Sequence, residues 1–134
     1  MNDDAALHTL ANGVRVIALP STALSTATVA VFIRSGSAHE GKLVNGISHV
    51  VEHMLFKGTA TRDARRINLD AEQLGADVNA HTDRDHTAFY MRGLAEHSGE
   101  FAKMLADLVL QPSFPADELE RERHRDRVER VDAV

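Results

Sequence analysis

Three side chains able to work together on a metal and a water stand within one short stretch, "NGISHVVEHMLFKG": His49, Glu52 and His53. On a helix, residues four apart lie on adjacent turns, so both imidazoles can reach one Zn²⁺ at about 2.0–2.1 Å while Glu52 faces a bound water without coordinating. Glu52 would then take the water's proton as general base, with the ion lowering that water's pKa and polarising a carbonyl. A catalytic zinc uses three protein ligands, so a third must come from elsewhere in the chain. The competing reading, a helix with a solvated polar face, is the commoner one for a lone pair of histidines. With eight histidines in 134 residues, chance supplies roughly 0.03 occurrences of H-x-x-E-H, which favours the metal.

The elements that must hold these residues follow from periodicity and turn chemistry. The motif helix is expected from about Gly46 to Phe56, stopped at Gly58. On a helical wheel Ile47, Val50, Val51, Met54 and Leu55 fall opposite His49, Glu52 and His53, so they are expected to dock on a sheet and leave the chemical residues facing out. Upstream, "LHTLA" and "VRVIAL" read as a hairpin closed by a two-residue Asn12-Gly13 turn, and "TATVAVFI", apolar on both faces, as a central strand. Downstream come a helix over residues 64–74 with Thr61 as cap and Gly75 as stop, an antiparallel pair "DVNAHT" and "HTAFYMRG", a helix over about 97–110 ended by Pro112, and a last helix starting near Pro115. This order predicts an α+β fold, an antiparallel sheet with helices packed on one face.

Composition bounds the rest. The length suits one domain, and 43% hydrophobic with 26% charged residues is ordinary for a globular core. A net charge of −5 disfavours a nucleic-acid binder. No apolar run approaches the roughly 20 residues of a membrane span, and the first residues lack the basic and apolar parts of a secretory signal, so a cytoplasmic chain with no membrane partner is expected. With no cysteine, any metal must be held by His, Asp, Glu or water.

"HVVEH" is the inverted zinc-peptidase signature, and "NGISHVVEHMLFKGT" resembles the corresponding stretch of the pitrilysin and mitochondrial processing peptidase family. "LANGVRVI" is similar to that family's opening strands, "LGADVNAHTDRDHTAFY" to its strand pair after the second helix, and "FPADELERER" to the start of its ligand-bearing helix. The resemblance implies a zinc metalloendopeptidase, with residues 1–134 as the N-terminal part of a catalytic domain. It also implies His49, His53 and Glu129 as zinc ligands, Glu52 as the catalytic base and Glu122 as the supporting glutamate behind the site. The substrate implied is a peptide added to the edge strand "DVNAHT", where Asn79 and Ala80 are the candidate contacts. A homologous partner domain closes over such a site in the family, and a homodimer is the alternative assembly. After "ELERER" the chain departs from the pattern: residues 124–134, "HRDRVERVDAV", put Arg125, Asp126 and Arg127 where the family is apolar, and Asp126 becomes a rival to Glu129.

Two other readings stand beside this one. One is a truncated homologue that binds metal or serves a structural role without catalysis. The other, an S-ribosylhomocysteinase, uses cysteine chemistry that this chain lacks. His8, His39, His97 and His124 read as surface or hydrogen-bonded residues. His81 and His86 stand on the strand pair that the family places near its cleft, and read as lining it rather than binding metal.

Overall fold

In a computed structural model, the backbone is described for residues 5–132 and side chains through residue 125. Five strands and four α-helices follow one another in these residues: β1 (Ala6–Thr9), β2 (Arg15–Ala18), β3 (Thr26–Ile33), α1 (Ile47–Leu55), α2 (Ala64–Gln73), β4 (Asp77–Thr82), β5 (Thr87–Leu94), α3 (Ser98–Leu110) and α4 (Ala116–Asp132). The fold is mixed, with antiparallel sheets and helices. The strands form two sheets, a hairpin β1-β2 and a three-stranded sheet ordered β3-β5-β4.

One face of the larger sheet carries the core. Val29 and Val78 flank Met91, and Val31 and Ala80 flank Phe89. Against these pack Leu55 of α1, Ile67 and Ala71 of α2, and Phe101, Met104, Leu105 and Leu108 of α3. The period of two along the strands thus separates a helix-covered face from an open one. Gly93 allows this contact, since a Cβ there would come within 2.8 Å of the Phe101 ring.

The sequence located "TATVAVFI" correctly but expected it at the sheet's centre. The central strand is β5, and β3 has one neighbour among the described residues. The outer face of β3 is exposed, with Phe32 at 67%. Alternating apolar content on both faces did not distinguish a covered face from an open one. The first hairpin also differs. Gly13 donates to the Leu10 carbonyl and lies at φ 86°, so Ala11-Asn12-Gly13 form a three-residue loop with a left-handed glycine. In α2 the cap is Asp63, whose side chain accepts from the Arg66 N–H, and not Thr61. Gly75, at φ 59°, ends that helix as expected.

Candidate metal centre

The loop before α1 lies on the β4–β5 turn. Ser37 and Ala38 donate to the carbonyls of Asp83 and Arg84, and Gly36 sits so close that a Cβ would be 2.3 Å from the Asp83 oxygen. From this loop Glu40 reaches forward to the start of α1. Its carboxylate accepts from the N–H groups of Gly46 at 2.6 Å and Ser48 at 2.9 Å, supplying the cap that Gly46 has no side chain to provide. A carboxylate there also suits the positive end of the helix dipole. Nothing local in the sequence marks Glu40, because its partners lie six and eight residues away.

The other end of α1 is fixed to α2, α3 and α4. Thr59 and Ala60 pair with Arg62 and Gln111, and Ser113 donates to the Gly58 carbonyl. Arg62 spans the helices, its Nε donating to Asp70 at 2.7 Å and its Nη1 to Asp107. Hydrogen bonding to Arg62 holds the Asp70 carboxyl below its usual range despite burial, with Arg62 and Arg66 charges adding to the effect. Gly58 is not the helix stop that the sequence suggested. The cap is Phe56, while Gly58, at a positive φ of 154° that favours glycine, bridges to Asp63.

Between these anchors His49, Glu52 and His53 come together with ligand atoms within 4.8 Å of one another, the one such group of three among the described residues. The two imidazole rings lie 4.2 Å apart between centroids. Their surroundings differ from the expectation of an outward-facing stripe. Glu52 is only 8% exposed and its carboxylate accepts from the Thr82 hydroxyl of β4. Ile47 and Val51, expected to dock, are 44% and 38% exposed. Met54 and Leu55, from the same expected face, are buried, so the apolar face docks at the C-terminal end of α1, while β4 and α4 hold the polar residues Glu52 and His53.

On the α4 side, His53 Nδ1 donates to Glu122 Oε2 at 2.9 Å. Glu122 is 5% exposed, and its other oxygen lies 3.3 Å from Lys57 Nζ and 3.6 Å from Arg125. Burial pushes the Glu122 carboxyl up, but hydrogen bonds and charge from His53 and Lys57 outweigh it and hold the group below its usual range. With Nδ1 donating, a neutral His53 keeps the Nε2 lone pair free, the tautomer that a metal ligand needs. The donor set, two imidazoles and carboxylate with no thiolate, suits zinc. The α4 backbone is continuous through residue 132, but the side chains of Asp126 and Glu129 lie outside the described residues. Asn79 and Ala80 stand on β4, an edge strand, where Asn79 Oδ1 accepts from the Ala80 N–H at 2.8 Å. Thr82, Glu40 and Lys57 are the residues around the centre that sequence reasoning missed. Among the described residues no helix is long and apolar enough to cross a membrane.

Residues 15–134 match the family described as insulinase (peptidase family M16). The chain is similar to the uncharacterized zinc protease YmxG of Bacillus subtilis, 38% identical over 117 residues, covering 87% of this chain and 29% of the relative. It is also similar to the mitochondrial-processing peptidase subunit beta of Caenorhabditis elegans, 41% identical over 115 residues, 86% of this chain and 25% of the relative. Among solved structures, a protease from Helicobacter pylori superposes with TM-score 0.88 at 26% identity, covering 96% of this chain and 31% of that one. A peptidase M16 inactive domain from Pseudomonas fluorescens gives 0.82 at 27% identity, over 91% and 30%. The chain therefore spans a quarter to under a third of the length of these proteins. The chain belongs to the insulinase family of peptidases, family M16.

Proposed function

We propose that this chain is the metal-bearing part of a zinc metalloendopeptidase, the N-terminal part of its catalytic domain. The observation that carries the reading is the hydrogen bond from His53 Nδ1 to buried Glu122, which orients one imidazole of the motif and frees its Nε2. His49 and His53 would hold the ion, with Glu129 as third ligand. Glu129 lies seven residues after Glu122 on one continuous helix, so about two turns place both on the same side of α4. When bound, zinc would supply a Lewis acid for the scissile carbonyl and for water.

The chain's own residues then divide the work. Glu52 accepts the proton of the attacking water and passes it to the leaving amine. Thr82 holds the Glu52 carboxylate by its hydroxyl, and Glu122 holds His53. A peptide would add to the open edge of β4, where the Ala80 N–H now satisfied by Asn79 becomes a main-chain donor to the incoming strand. The name of the processing-peptidase relative, a subunit, supports a homologous partner over this edge.

The test is hydrolysis of an unstructured peptide by the full chain, with zinc content measured beside it. Chelation should abolish cleavage and zinc should restore it. Glu52→Gln should lose at least about a hundredfold in rate, the low end for a general base, while retaining zinc. Cleavage unchanged by Glu52→Gln would remove that residue from the mechanism. The similarity to a domain described as inactive supports a second reading, a metal-holding domain without activity. That reading expects zinc in the unsubstituted chain and no cleavage under any condition.

A further inference from the structure

We propose that His81 and His86 form a second metal site, a two-imidazole chelate for a divalent transition ion, on the face of the sheet turned away from α1. Their Nε2 atoms face each other at 3.2 Å. Two nitrogens bound to one ion at about 2.0–2.1 Å with near-tetrahedral geometry stand about 3.3 Å apart, so the pair already has the spacing of ligands. The motif centre lies on the other side of β4: Thr82, which bonds Glu52, and Ala80, which flanks Phe89, face the helices, and His81 between them faces away.

The pair is also prepared for a metal by its second contacts. His86 Nδ1 donates to Asp85 Oδ1 at 2.7 Å, which leaves the Nε2 of a neutral His86 as an acceptor directed at His81. A carboxylate behind a histidine fixes the ring and strengthens it as a donor. Aromatic neighbours hold the rings: His86 lies 5.8 Å from Phe32 and His81 lies 6.3 Å from Tyr90, while the two imidazoles meet edge-on at 5.3 Å. The backbone between them is closed by the Asp83 N–H donating to the His86 carbonyl at 2.8 Å.

His81 is exposed and His86 partly so, so an ion would reach both and keep water in its remaining positions. Imidazole ligands select Zn²⁺, Cu²⁺ or Ni²⁺ over Mg²⁺ and Ca²⁺. The chelate would tie β4 to the start of β5 across their turn, stiffening the edge strand. Without an ion, the same 3.2 Å contact is a hydrogen bond donated by His81 Nε2 to His86.

Calorimetric titration of the full chain with Ni²⁺ and with Zn²⁺ distinguishes the two. A chain with both motif histidines replaced, His49→Ala with His53→Ala, should still take up one ion. Adding His81→Phe or His86→Phe, each of which keeps a flat ring on an exposed position, should abolish that uptake, and Asp85→Asn should weaken it by about 10–100-fold. Circular dichroism and thermal unfolding check that each variant folds. No uptake by the motif-less chain, or uptake unchanged by His81→Phe, would overturn the second site. Because these arms do not use the His49 and His53 centre, failure of the proposed peptidase activity leaves their outcome readable.

Discussion

The Glu52 carboxylate is nearly enclosed, and its hydrogen-bond donor among the described residues is the Thr82 hydroxyl. Thr82→Val keeps the branched shape and removes the donor, leaving a buried carboxylate unpartnered, a loss of about 1–3 kcal/mol. The expected outcome is a lower denaturant midpoint with unchanged slope and undiminished zinc content, since neither imidazole is touched. A midpoint equal to the parent's would show that Glu52 does not depend on Thr82. His49, Glu52 and His53 could be read from spacing because a helix converts spacing into proximity. Glu122 came from a resemblance, and Thr82 came from neither. Its contact with Glu52 spans thirty residues of chain and exists only after β4 has paired with β5 and α1 has settled beside it.

Elements whose signals are local were legible: β3 falls on the stretch read as a strand, and α3 and the β4-β5 pair follow their periodicities closely. The enclosure of Glu52 on α1 was not, because a hydrophobic wheel weighs apolar area alone, whereas here two polar contacts, Glu52 to β4 and His53 to α4, hold part of the polar side as well. The start of α1 gives the same lesson. Gly46 stands at φ 91° with no capping side chain, and two of the helix's first N–H groups are taken by Glu40 from the preceding loop. Glu40→Ala should therefore cost about 0.5–2 kcal/mol, the range for losing a helix cap, and fray the turn that carries His49. The readouts are the midpoint of thermal unfolding and zinc affinity by chelator competition, both expected to fall. Glu40→Gln, which keeps one acceptor but loses the charge that favours the helix N-terminus, should fall between. Equal stability of all three chains would assign the cap no energetic role.

Across the whole molecule, stability is unevenly distributed. The core gathers on β5, α2 and α3, with Phe89, Met91, Ile67, Phe101 and Leu105 almost wholly enclosed. The β1-β2 hairpin is different: every residue of both strands is exposed, including Leu7, Val16 and Ile17, and its ladder is four residues long. A two-stranded hairpin without a packed face is marginal in water. β3 and β4 are in between, each hydrogen-bonded to β5 on one side with a half-buried inner face. The hairpin and Phe32 thus leave apolar surface open that the core does not cover. For the chain studied alone, amide hydrogen exchange should rank these regions. Amides of β5 within Ala88–Met91 should open only with global unfolding, of order 5–15 kcal/mol for a domain, while those of Ala6–Ala18 should exchange with opening free energies near zero. Hairpin protection equal to that of β5 would mean that β1 and β2 share the core's cooperative unit, and their exposed faces would then need no covering partner.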